Sequence, residues 1–468
     1  MGDDTSKTFA AQYDAGKSGL LWRRVVADLE TPIGTYLKLA AGRSHSFLLE
    51  SVQDGTTRGR YSMIGLLPDL ILKVEDGKAS INRTAQAAPD DFEPLDDLPL
   101  DALRKLVAES QIDMPAGLPP QSAGIYGYLG YEMVRYMEVL PNENPDDLQT
   151  PEALLMRPSL LAIFDTVKDE LYLTAPIYVR EGVTAVQALA AAEDRINDAI
   201  ARLTRATPAT PALPHLESIA VTSNTSRDEY FEMVARAKDY ITAGDIFQVV
   251  LSQRFSADFT LPPTALYRAL RRTNPSPYMY FFDFGGFAVA GSSPEILVRV
   301  QDGEVTIRPI AGTRKRGATP TRDKELAAEL LSDPKELSEH LMLLDLGRND
   351  VGRVAAFGSV EVSEQFVVER ANLAAVGPQA GPLCVVAQTP LRVVVRVAAR
   401  RLALPSLRRR LGARLRLPRD RKRRFGHQRQ HAVQHLVETD PTRSRHYQRR
   451  LPARFFQRLH FCFALVPK

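Results

Sequence analysis

The chain changes character once, at Arg370, and that seam limits what it can fold into. Residues 371–468 hold 20 arginines, 2 lysines and 3 acids, a balance of +19; residues 1–370 hold 38 basic and 53 acidic residues, a balance of −15. Before the seam, turn residues, caps and apolar periodicity agree with one another, as they do in chains that specify one native state. Beyond it the stretch LRVVVRVAARRLALPSLRRRLGARLRLPRDRKRRFGHQRQH is interrupted by prolines and has no regular apolar spacing. A fold prediction therefore rests on residues 1–370.

Three readings of the basic segment compete. Dense arginine attracts phosphates, which suits a nucleic-acid-binding extension. A basic amphipathic helix on a membrane surface is a second reading, which the prolines oppose. The third is out-of-frame translation of a GC-rich gene, which yields mainly Arg, Ala, Leu, Pro, Gly and His. Loss of patterning favours the third, and on that reading residues 371–468 are disordered or non-native.

The rest of the composition is ordinary for a soluble globular protein, with 44% hydrophobic and 25% charged residues. No run of eighteen uncharged apolar residues occurs, so no membrane-spanning helix is expected. Cys384 and Cys462 form neither a CxxC pair nor a disulfide framework, which points to a reducing cytoplasm.

In the body, Asp76-Gly77 and Asp302-Gly303 lie between alternating apolar runs and predict hairpins, with a third turning at Lys168-Asp169. Residues 100–112 and 184–205 read as helices. The segment 207–215, with three prolines, reads as a linker. Ser226 and Glu229 form a capping box for a helix that Gly244 closes. Strands are expected at FQVVLSQRFS, PYMYFFDFGG, FAVAGSS, EILVRVQ and EVTIRPI, then two helices over 321–347. Strand runs beside helix runs predict an α+β fold of large, mostly antiparallel sheets forming a sandwich flanked by helices. The expected regions are 1–215, 216–370 and 371–468.

Chemistry concentrates between Pro309 and Asp350. Ile310, Ala311, Gly312 and Thr313 follow a strand and precede the basic Arg314, Lys315 and Arg316. Small residues there let a substrate reach backbone N–H groups, and Thr313 adds a hydroxyl. Glu336 and Glu339 lie three apart on one helix face, an arrangement that suits Mg²⁺ shared with an anionic substrate. Asp333-Pro334-Lys335-Glu336 is also a capping arrangement with proline at N1, and pattern alone favours that role for Glu336. Glu295, in Ser293-Pro294-Glu295, is a strand-end turn residue or a site carboxylate.

The motifs SFLLES, GDIFQVVLSQRF, NPSPYMYFF, GSSPEIL, RPIAGTRKRG and DPKELSEHLMLLDLGRNDVGRV occur in this order. Together they resemble the large subunits of anthranilate synthases, chorismate-utilising enzymes of tryptophan biosynthesis, over roughly residues 20–370. The resemblance implies that chorismate and ammonia give anthranilate and pyruvate, with Mg²⁺ as cofactor. It implies a glutamine amidotransferase partner in a heterotetramer of two large and two small subunits. By similarity Gly312, Thr313 and Glu295 face chorismate, Glu339 is a magnesium ligand, and Glu336 and Gln248 are catalytic. Ser51, Pro277, Tyr278 and Met279 would form a tryptophan feedback pocket.

Relatives making aminodeoxychorismate carry a lysine where Ala311 stands, and isochorismate-forming relatives carry one where Gln248 stands. Neither lysine is present, which favours direct attack by ammonia; aminodeoxychorismate synthase component I remains the enzymatic alternative, and a non-catalytic derivative with a nucleic-acid-binding tail the other. The resemblance also implies, after VVER, a histidine-bearing strand, an SGAPK turn, a tyrosine and an arginine for substrate, a GAG loop and a distal glutamate. Residues 371–468 carry none of these, so a chain lacking half of its site is expected to be inactive.

Overall fold

The computed structural model describes residues 3–53, 57–140, 145–208 and 220–370, and beyond them the backbone of short strands at 373–374, 382–383, 386–388, 393–396 and 462–467. Residues 209–215 of the proline-rich linker expected at 207–215 and most of the basic segment, with the expectations attached to them, lie outside the described residues. Eight α-helices are described: α1 (Asp3–Asp14), α2 (Pro32–Ala40), α3 (Pro99–Glu109), α4 (Ala185–Leu203), α5 (Arg227–Ala243), α6 (Pro263–Thr273), α7 (Pro320–Ser332) and α8 (Pro334–Gly352). No described helix is long and apolar enough to cross a membrane.

An antiparallel sheet of eleven strands organises the body, in keeping with the expected α+β class. Its path runs Gly19–Val26, Glu170–Ile177, Ala153–Asp165, Tyr61–Glu75, Ser46–Glu50, Tyr278–Asp283 and Phe287–Ser293, and the backbone of 462–467 pairs beyond the last of these. Strands from both sides of residue 215 thus share one sheet. Phe47 pairs with Gly65 on one side and Phe282 on the other, which fixes the register at the centre.

One face of the sheet is covered by α2 and α4. Tyr36, Leu39, Ala192, Ile196 and Ala199 pack there against Leu171, Leu173, Met279 and Phe281. The opposite face is aromatic: Phe47 lies 4.5 Å from Tyr126 and 5.4 Å from Phe282, which stacks on Phe284. Burying this much apolar surface is the main stabilising term of the fold.

The three hairpins form where expected. Asp76-Gly77 and Asp302-Gly303 have positive φ at both residues, as a two-residue hairpin loop demands, and Asp169 is also left-handed. Thr184 and Ser226 complete capping boxes, and Gly244 closes α5 at φ 79°. Two expected strands are corrected. FQVVLSQRFS is extended only at Phe255–Ala257, paired with Val221–Ser223, and EILVRVQ only at Arg299–Gln301. Apolar alternation marks a strand that a sheet can bury, and here Phe247 and Leu297 stay 86% and 65% exposed.

A smaller four-stranded sheet carries the other end of the body, in the order Arg299–Gln301, Glu304–Thr306, Val393–Arg396, Val360–Val362. Leu344 and Val351 of α8 pack on its Val305, Ile307, Val360 and Val362. That contact sets α8 beside the loop leaving Thr306.

Candidate active site

The loop after Thr306 and the first turns of α8 meet at Gly312. Its φ of 60° lies in the left-handed region, and a methyl group there would come 2.8 Å from Glu336 Oε2 and 3.1 Å from Leu330. Glycine is therefore required twice, for its backbone angle and for its missing side chain. Ala311 beside it is buried, whereas Thr313 is exposed.

Glu295 steadies this loop. Its Oε1 accepts a hydrogen bond from the Ile310 N–H at 3.0 Å, and its own N–H donates to Ser293 Oγ in a tight turn. The carboxylate tied to the end of strand Phe287–Ser293 thus holds the backbone just before Ala311.

The capping expectation for Glu336 is corrected. Asp333 does cap α8, accepting from the N–H groups of Lys335 and Glu336, but Glu336 does not reach back to complete a box. The Asp333 N–H already donates to the Leu330 carbonyl, and Glu336 Oε1 turns to Arg314 at 3.3 Å. Burial alone would raise the Asp333 pKa; the Lys335 N–H and the Arg314 guanidinium hold it below its ordinary value.

Glu339, one residue short of a turn further on, accepts from the Gln248 side-chain amide at 3.2 Å. Two residues expected to share a site, 91 positions apart in sequence, are thereby brought together. Among the described residues no group of three or more His, Cys, Asp or Glu side chains is gathered to hold a metal. Of the two carboxylates expected near Mg²⁺, Glu336 gives its Oε1 to Arg314 at 3.3 Å, which leaves Glu339 as the one expected ligand; the described residues do not by themselves build a Mg²⁺ site.

The residues expected to bind tryptophan lie on or just beside two adjacent strands, Ser51 following Ser46–Glu50 and Pro277 preceding Tyr278–Asp283. Glu50, just before Ser51, pairs with Met279, and Tyr278 pairs with Ser293. Met279 is 1% exposed and packs in the main core, while Pro277 and Tyr278 are half-buried. Glu50 is buried and receives three hydrogen bonds, from Tyr267 at 2.7 Å and from Arg271 Nε and Nη2 at 2.7 and 2.9 Å.

Thus Gly312 meets Glu336, Glu295 meets Ile310 and Gln248 meets Glu339, while Glu50, Tyr267 and Arg271 form a second cluster beside Met279. The family model described as chorismate binding enzyme matches residues 46–374, which spans both clusters. The chain belongs to the chorismate-binding enzyme family. It is 54% identical over 365 residues to anthranilate synthase component 1 of Cereibacter sphaeroides, covering 78% of this chain and 73% of that one. The corresponding protein of Pseudomonas aeruginosa is 44% identical over 347 residues, covering 74% and 70%.

A crystal structure of anthranilate synthase component I from Streptococcus pneumoniae superposes with a TM-score of 0.56 at 31% identity, covering 79% of this chain and 76% of that one. The menaquinone-specific isochorismate synthase of Escherichia coli, at 16% identity and a TM-score of 0.51, shares the fold. Within this chorismate-binding fold, sequence reasoning missed Arg314 as the partner of Glu336 and the Tyr267–Glu50–Arg271 cluster, and the solvated helix face that is the commonest fate of a residue such as His340 is not what the fold gives it. His340 is 1% exposed, with no hydrogen-bond partner for either ring nitrogen among the described residues, its ring 4.8 Å from Phe366. Burial holds its pKa below the ordinary 6.5. The basic run after Gly312 signalled a cation near the loop, but only the fold shows which acids it meets.

Proposed function

We propose that residues 20–370 form the body of an anthranilate synthase large subunit, which combines chorismate and ammonia into anthranilate, pyruvate and water. The observation that carries this reading is the glycine cradle: Gly312 at φ 60°, with Glu336 Oε2 where a side chain would stand. The small residues of the loop would let a substrate carboxylate approach its backbone N–H groups from the side away from Glu336, with the exposed Thr313 hydroxyl as a further donor. Gln248 and Glu339 would stand against the substrate's reacting ring, and Glu295 would keep the loop shaped before substrate arrives.

Chemistry at two positions separates this reading from its relatives. Ala311 offers no nucleophile to the ring, and Gln248 cannot take a proton from water as an amine can. Ammonia is then the attacking group. The amidotransferase partner, the heterotetramer and tryptophan control through Ser51, Pro277, Tyr278 and Met279 belong to the same proposal and rest on the resemblance, as does dependence on Mg²⁺, for which the described residues offer Glu339 but no complete site.

The proposal has a second clause. Residues 371–468 do not supply the histidine, tyrosine, arginine and glutamate expected of the other half-site, so this chain binds chorismate without turning it over. Calorimetric titration of the full chain with chorismate, ammonia withheld, tests the first clause. Saturable one-to-one binding is expected; no heat of binding at millimolar chorismate would overturn it.

A further inference from the structure

Arg314 joins the substrate loop to two helices at once. Its Nε lies 3.0 Å from Glu329 Oε1 near the end of α7, its Nη2 2.7 Å from Asp333 Oδ2, and its Nη1 3.3 Å from Glu336 Oε1. Nη1 also donates to the Thr313 carbonyl at 3.0 Å. All three guanidinium nitrogens are therefore engaged. Asp333 divides its two oxygens: Oδ1 caps α8 through the Lys335 N–H at 3.0 Å, and Oδ2 receives Arg314.

Without this cation three carboxylates, from Glu329, Asp333 and Glu336, would crowd the start of α8 uncompensated. Lys335 does not substitute for it, because its side chain is 83% exposed and its Nζ stands 4.0 Å from Glu336. A lysine at 314 would also fall short, since a point charge cannot reach three acids in one plane as a fork does.

The geometry points to Arg314 as a positioning residue for chorismate: it locks the Glu336 carboxylate and the α8 cap against the backbone of Gly312 and Thr313, so that the loop is already in its receiving shape. This rests on the reading that the loop receives chorismate. What it adds is the part that shapes the loop, which touches no substrate itself. Preorganisation of this kind lowers the ordering cost of binding.

The test uses the full chain and two readouts, hydrogen exchange and calorimetric titration with chorismate in the absence of ammonia. In Arg314→Ala, amide exchange should accelerate at Ile310–Thr313 and in the first turn of α8. Chorismate affinity should fall by about ten- to a hundredfold, as when a group that orients a binding residue is removed. Arg314→Lys should recover part of that loss, and Glu329→Gln, which frees one outer arm, should cost far less.

Exchange in the loop that matches the parent overturns the assignment, whether or not chorismate binds. So does an Arg314→Ala affinity within about twofold of the parent, a change too small for a lost ordering contact. If Arg314→Ala does not fold, Arg314→Lys decides: faster exchange and weaker binding support the assignment, and parental values overturn it. A parent chain that binds no chorismate while Arg314→Ala still loosens the loop overturns the functional reading instead.

Discussion

Gly312 concentrates the residue-scale argument because two independent constraints converge on it. A left-handed φ costs an L-residue roughly 1–2 kcal/mol, and a methyl group would press on Glu336 Oε2 at 2.8 Å and on Leu330 at 3.1 Å. Gly312→Ala should therefore lower the thermal midpoint modestly while weakening chorismate binding, because the Glu336 carboxylate or the loop must shift. Circular dichroism and calorimetry on the same sample would separate the two effects; parental affinity would show that the cradle is not the binding surface. The small-residue run around Gly312 was legible in the sequence as a loop that backbone N–H groups could serve. The commitment of Glu336 was not, because Asp-Pro-Lys-Glu satisfies a local capping rule and Arg314, 22 positions away, overrides it.

Elements were read well where local rules suffice and poorly where they do not. The hairpin turns, the capping boxes of α4 and α5 and the glycine stop of α5 are set by residues within a few positions of one another. FQVVLSQRFS fails as a strand because a strand needs neighbours, and its sequence says nothing of whether they arrive. The central sheet shows the converse. Gly65, in the middle of the strand Tyr61–Glu75, reads as a weak point, yet the Phe47 ring occupies the space above it. Gly65→Ala would drive a methyl group into that ring in a close-packed interior. The expected cost is about 1–3 kcal/mol, the range for overpacking a core. Urea denaturation followed by tyrosine fluorescence would measure it, and an unchanged midpoint would mean that Phe47 repacks freely.

At the scale of the molecule, the α+β class and the antiparallel sheet were legible from residues 1–370, and so was the family, through ordered motifs that lie on separate elements. Pairing across the sheet was not, since strands Ser46–Glu50 and Tyr278–Asp283 are neighbours only because the chain returns after more than two hundred residues. The seam at Arg370 stands where the second half of a chorismate site would begin. On the proposal above, residues 20–370 form half of an anthranilate-making site and residues 371–468 do not supply the other half. Chorismate-dependent anthranilate fluorescence, with ammonium and magnesium salts, tests this on two proteins side by side. One is the full chain; the other carries the C-terminal segment of the Cereibacter sphaeroides relative in place of residues 371–468. Fluorescence is expected from the chimera and none from the full chain. Fluorescence from the full chain, or a folded chimera that stays dark, would contradict it.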